Sequence, residues 1–466
     1  MAFFETFLTA YILAILFFSF IRPQIAVGMY LPYLILVPFL NVETDGISFQ
    51  YNMVNIILLL GFFLNHRKKY IYWKPFIPFL FFYLAQLAVF PFQELSASIM
   101  FNTWRIDTMK FLILPFVMYN FIMDDAKLFK IYKNILLISI IIACAYGLYL
   151  TKTPGTNPYM MYMFAKNGAE FNEAYALGFS GGTDIIDYKI DTGRMFGRIS
   201  SVFRHPMTFG LFLCMSFIYL LGTYKKNKMI LTALPILFVG LNTITCGVRS
   251  SLGALALTMT FLLIRLKNVK LFFTSIVLLL IVYVSLANFM PNLNEYLFSM
   301  IDTESSEVGG SSISLRLDQL QGCLVEIKNN FVFGKGYGWT QYYMNINETH
   351  PIILAFESLV FVVLCNEGLV FGLSLWLFFS AMIIRLTHNI KKRSHRIFLQ
   401  SMFLAYVSYA IITGDYGYMQ YFILFFIMLY AEYKSLETES MRKRKVSAVS
   451  SKKKKSNLKN VLSLHF

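Results

Sequence analysis

Long apolar runs separated by short polar clusters set the rhythm of this sequence. A membrane helix needs about 17–25 apolar residues. Runs of that kind occur at about 6–21, 24–40, 51–64, 75–92, 111–123, 134–150, 202–222, 229–246, 252–266 and 271–290, then at 366–386, 397–414 and 420–434. Only Arg22-Pro-Gln24 divides the first two, so the pattern predicts about 12–13 transmembrane helices. The segment from Pro351 to Leu386 is apolar enough for two spans, but two would put Lys391-Lys-Arg393 across the membrane from the other basic clusters. A helix over 351–365 at or dipping into one face, followed by one span over 366–386, avoids that conflict. The expected fold class is all-α and polytopic, with a transmembrane domain over 1–434 and a basic, disordered tail over 435–466.

Composition narrows the picture. Of 466 residues, 57% are hydrophobic and 14% charged, against about 45–50% and 25% in soluble domains, so an ordinary soluble fold is excluded. The 48 Phe and 29 Tyr suit rings packed along acyl chains and at interfaces. A net charge of +16 invites a nucleic-acid partner, but its distribution argues against one. Nine Lys/Arg face only Glu437 and Glu439 in the tail. Much of the rest lies at His66-Arg-Lys-Lys69, Lys225-Lys-Asn-Lys228, Lys267 with Lys270, and Lys391-Lys-Arg393. Clusters between apolar runs follow the positive-inside pattern, which puts them and the tail in the cytosol, the tail beside anionic lipid.

The remaining loops then face outside: 41–50, 93–110, 151–201, the turn around Gly247–Ser251, and 291–365. The two longest, 151–201 and 291–365, far exceed the roughly 15 residues beyond which loops are usually functional. The stretch 291–351 carries seven Asp/Glu and three Lys/Arg. The five cysteines show neither a disulfide framework nor metal-ligand spacing, and the first apolar run lacks a cleavage-site pattern and is expected to be retained.

Charge concentrates where apolar surroundings make it costly. The stretch Thr192–Gly210 holds Arg194, Arg198, Arg204 and His205 and runs directly into the apolar segment 211–221. Arg249 lies between two apolar runs, and Arg316 opens an amphipathic helix ending near Asn329. A cation near hydrocarbon needs an anionic partner, and a guanidinium pairs with two phosphate oxygens at once. Any one of these arginines could be a snorkelling or capping residue; together on one face they predict a diphosphate site.

Gly334-x-Gly-x-Gly338 follows no strand, which argues against a Rossmann site and for a tight turn, with Lys335 as a further phosphate contact. His205 and His350 read either as bases or as structural hydrogen-bonders, and Arg105 with Asp107 as a loop pair. Glu357, in an apolar segment, is the candidate general base, since burial raises a carboxyl pKa; the competing reading pairs it with an arginine. No metal is expected, and no cofactor.

The order Gly-Arg-Ile-x-Ser-x-Phe-x-x-Pro (197–206), Thr-x-Gly-Val-Arg-Ser-Ser-Leu-Gly (245–253), Leu-Arg-Leu-Asp-Gln with Phe-x-Phe-Gly-Lys-Gly-Tyr-Gly (315–338), and Glu-Gly-Leu-Val-Phe-Gly (367–372) resembles the O-antigen ligase and polymerase family over about 190–390. That resemblance implies a GT-C-like, inverting glycosyltransferase acting on undecaprenyl-diphosphate-linked glycans at the periplasmic face of the bacterial inner membrane. It implies that Arg198 and Arg249 hold the donor diphosphate with Arg316 as a third contact, and that a chain-length regulator is a partner. Glu357-Ser358 stands where ligases carry His-Asn, which fits a polymerase of surface-polysaccharide repeat units better than a ligase to lipid A core or protein. A lipid-linked glycan transporter is the competing class; it should show paired halves with interrupted helices, and no such pairing is visible in the sequence.

Overall fold

The computed structural model describes residues 2–37, 42–44, 47–49, 51–66, 70–152, 157–166, 199–224, 229–266, 313–347, 349–413 and 419–439. The expected span at 271–290, Arg194, Arg198 and the basic tail from 440 onward lie outside them. What is described is helical, apart from one small antiparallel hairpin, β1 (Val42–Thr44) with β2 (Ile47–Phe49).

Helices α1 (Ala2–Ile21) and α2 (Pro23–Leu36) are separated at Arg22, because Pro23 fits a first helical turn but not a helix interior. After the hairpin come α3 (Tyr51–Asn65), then α4 (Ile77–Val89) between 3₁₀ turns at Lys74–Phe76 and Phe90–Phe92. The long antiparallel pair α5 (Ala97–Asp124) and α6 (Ala126–Lys152) leads to the short α7 (Pro158–Lys166). Helices α8 (Pro206–Gly222), α9 (Met229–Thr245) and α10 (Arg249–Leu266) follow. The segment after 312 holds α11 (Ile313–Glu326) and α12 (Trp339–Asn347), then α13 (Leu359–Glu367), α14 (Leu369–Thr387), α15 (Arg393–Thr413) and a last helix, α16, over 419–439.

Among the described residues, six helices are long and apolar enough to cross a membrane: Lys74–Phe92, α5, α6, α10, α14 and α15. Among the described residues, five more apolar helical stretches of 10–17 residues, in α1, α2, α3, α8 and α9, coincide with expected spans. Helix α8 starts at Pro206 rather than 202, because the His205 side chain caps it and Pro206 occupies its first turn. The chain is a multi-pass helical membrane protein.

Helix α16 is the hub. From Tyr421 to Ala431 no residue is more than 7% exposed, as expected for a helix apolar all round. Its rings meet four neighbours: Phe422 and Phe426 touch Phe79, Phe425 touches Phe212 and Tyr219, Tyr430 touches Tyr119, and Phe422 stacks on Tyr406. Peripheral helices turn the other way, with Phe17, Leu84 and Leu377 largely exposed where lipid would lie.

Contacts define two ends of the bundle. At one, Lys133 Nζ is 2.9 Å from Glu432, His66 Nδ1 is 3.4 Å from Asp124, and Arg393 donates to the Arg265 carbonyl. Tyr433 there donates to the Gly222 carbonyl, just before the cluster at 225–228. This is the basic end. The opposite end carries the starts of α5, α8, α10 and α13, and the segment 328–358.

Two expected boundaries are corrected here. Residues 97–110 are not loop but the first turns of α5, since their polar side chains lie within a helix 28 residues long. Residues 351–358 are turns rather than helix, with Leu354 and Phe356 at positive φ, and the helix begins only at Leu359 behind the capping Ser358.

Candidate functional site

The loop end is built around a broken helix. Helices α13 and α14 would be continuous but for Gly368, whose φ of 77° a helix cannot use. The break leaves backbone groups that need partners, and the glycine-rich turn supplies them. Leu369 and Phe371 donate to the carbonyls of Phe331 and Val332, while Lys335 and Gly336 donate to those of Cys365 and Asn366. The approach is so close that a Cβ on Gly334 would stand 2.3 Å from the Gly368 nitrogen. Gly334-x-Gly-x-Gly338 is therefore a docking turn across a helix break.

That docking places α11 over α13 and brings Arg316 to Glu357. Arg316 Nη1 donates to the Glu357 carbonyl at 2.8 Å, its Nη2 lies 3.8 Å from Glu357 Oε2, and its guanidinium is 5.8 Å from the Phe361 ring. Burial lowers the Arg316 pKa and the Glu357 charge partly restores it; a guanidinium stays charged at neutral pH regardless. The Glu357 side chain is 43% exposed. The apolar enclosure expected around it is absent, because it stands in the turn before the helix rather than inside one. At 3.8 Å and without a bidentate fork, the pair aims the carboxylate without locking it.

Lys335 and His350 serve a second carboxylate. Lys335 Nζ is 2.7 Å from Glu326 Oε2 and 4.9 Å from the Trp339 ring centroid. The buried His350 ring accepts from the Ile352 and Ile353 amides at Nδ1, so its proton sits on Nε2, 3.2 Å from Glu326 Oε1. Burial raises the Glu326 pKa, but donation from Lys335 and His350 and their charges outweigh it and hold the carboxyl below its ordinary 4.5. This clasp ties the turn carrying Glu357 to α11. It puts His350 in a structural role and commits Lys335 to a carboxylate.

Beside Glu357 lies a cavity of about 300 Å³. Its walls are Thr103, Asp107 and Lys110 from α5, Tyr337 and Gly338 from the docking turn, Gln341 from α12, Phe356, and Asn366 from α13. Tyr337 donates to Asp107 Oδ2 at 2.7 Å, and Thr340 N–H donates to Asn366 Oδ1 at 3.0 Å. Asp107 thus faces Tyr337, while Arg105 bonds Asn102; the expected Arg105–Asp107 loop pair does not form, because three and four residues, not two, share a helix face.

No protein-family model and no curated protein matches the chain.

The other expected residues gather at the same end. Ser358 donates to the Ile411 carbonyl near the end of α15, and Tyr409 and Thr413 reach Met207 at the start of α8. His205, the residue capping α8, accepts from the Met207 amide, a structural use of its ring; Arg204 beside it is exposed. Arg249 is half-buried in the first turn of α10, which packs along α15, and the N-terminus of an 18-residue helix adds positive potential there. Ile199, next to Arg198, donates to the Cys246 carbonyl at 3.1 Å, three residues ahead of Arg249.

Nothing in the sequence marks Glu326, Tyr337 or Gln341 as functional, and Asp107 reads there only as half of a loop pair with Arg105. One signal was present: Thr103, Asp107 and Lys110 recur at i, i+4 and i+7, a polar stripe for any reader who extends the helix back to residue 97.

Proposed function

We propose that the chain polymerises surface polysaccharide, joining undecaprenyl-diphosphate-linked oligosaccharide repeat units at the periplasmic face of a bacterial inner membrane. The observation that carries this reading is that Arg249, Arg316, Glu357 and a polar cavity lie at one end of the bundle, opposite the end that holds Lys133, Arg265 and Arg393. The ordered motifs of residues 197–372 support it further.

In this reading Arg249 and Arg316, joined by Arg198, hold the donor diphosphate. The bond from the donor's anomeric carbon to the phosphate oxygen breaks, and its electrons leave with undecaprenyl diphosphate. An acceptor hydroxyl forms the new bond from the opposite side, inverting the centre, and its proton passes to Glu357. Preorganised guanidinium groups stabilise the charge developing on the leaving oxygen, and losing one such donor costs about 10²–10³-fold in rate.

Deleting the gene and resolving the cell's glycans tests the reading. Single capped repeats are expected. Long glycan stranded on undecaprenyl carrier would instead identify a ligase, and repeats trapped on the cytosolic side a transporter.

A further inference from the structure

We infer that the cavity walled by α5, the docking turn and α12 is a binding subsite for a neutral saccharide. It rests on the transfer reading for its place in the reaction, since its wall includes Phe356, next to Glu357, but its ligand preference follows from its own lining.

The volume, about 300 Å³, falls at the small end of ligand pockets, roughly 300–1,000 Å³. The polar groups alternate in kind. Asp107 accepts only, Lys110 donates only, and the amide of Gln341 does both. Asn366 commits Oδ1 to the Thr340 amide, and among the described residues no bond engages its Nδ2. A polyhydroxylated ring, each of whose hydroxyls both donates and accepts, matches such a set; a phosphate, which only accepts, does not.

Charge points the same way. One carboxylate and one ammonium balance, and no arginine lines the cavity, so nothing favours an anion there. Phe356 and Tyr337 bring aromatic surface for the apolar C–H face of a pyranose. The division of labour is then physical: guanidinium groups grip the diphosphate, and a charge-balanced, amide-rich pocket grips the sugar.

The test needs no turnover. Purified full-length protein in detergent is titrated with methyl glycosides of neutral hexoses and N-acetylhexosamines, with glucuronic acid and with inorganic pyrophosphate, using saturation-transfer NMR. At least one neutral glycoside is expected to bind without competition from pyrophosphate. Asp107→Asn and Gln341→Ala should each weaken it about tenfold, the scale of a hydrogen bond to a charged or well-placed group, while pyrophosphate binding stays unchanged. Asp107→Asn is isosteric and Gln341 is exposed, so retained pyrophosphate binding certifies the fold. Neutral glycosides that fail to bind, that bind equally to both variants, or that are displaced by glucuronic acid or pyrophosphate overturn the subsite. Should pyrophosphate not depend on Arg249 and Arg316 while the glycoside still depends on Asp107, the transfer reading falls and the subsite stands.

Discussion

The two ends of this bundle use the same residue types to opposite effect. At the basic end, polar and charged groups close on one another across helices: Lys133 reaches Glu432, whose side chain is 4% exposed, and the His66 ring reaches Asp124. At the loop end, carboxylates stand on turns and around a cavity: Glu357 is aimed by Arg316 yet 43% exposed, and Asp107 lines the pocket. Paired, buried charge fixes where helices sit. A carboxylate at the wall of a cavity can act on a ligand. Position relative to the helix ends, more than residue identity, separates architecture from chemistry.

Substitutions should respect that division. At the loop end, Glu357→Gln is expected to lower polymerisation by about 10²–10⁴-fold, as for a lost general base, with the melting temperature of the purified protein nearly unchanged; unchanged product length would remove Glu357 from the mechanism. Gly368→Ala tests the scaffold beneath it. Its positive φ and the approach of Gly334 leave no room for a Cβ, so roughly 3 kcal/mol or more of stability should go, visible as early thermal unfolding.

The basic end should answer in the reverse sense. Lys133→Met strips the buried Glu432 of that cation, costing roughly 3 kcal/mol, while turnover per folded molecule is retained. The smallest effect belongs to the Glu326 clasp. Its carboxyl pKa is depressed in the folded state, so its contribution is fully present above its ordinary 4.5 and is lost as pH falls through the lower folded value. A partly exposed pair contributes about 1 kcal/mol or less, and Lys335→Met should flatten the acid limb of the stability curve by that amount.

How far the sequence discloses this arrangement depends on whether local periodicity or tertiary contact decides each element. Helices α6, α10 and α15 are legible because unbroken apolar runs of sufficient length can only be helices in lipid. The start of α5 is not, because Asn102, Arg105 and Asp107 look like loop until Tyr337, 230 residues later, is seen bonding to Asp107. Likewise the turn at 331–338 is recognisable from its glycines, but its purpose depends on the break at Gly368. The arginines are legible as charges out of place, whereas the cavity is assembled from residues 103–110, 337–344 and 355–366 and leaves only the faint stripe on α5.

One reconstitution tests diphosphate binding at the loop end most directly. Purified protein in liposomes is given undecaprenyl-diphosphate-linked oligosaccharide, and glycan length is measured together with released undecaprenyl diphosphate. Release coupled to lengthening is expected, and Arg249→Ala should abolish both while the protein remains folded. Neither signal from the native protein, or undiminished release and lengthening from Arg249→Ala, would contradict the claim that the cations gathered at this end hold the departing diphosphate.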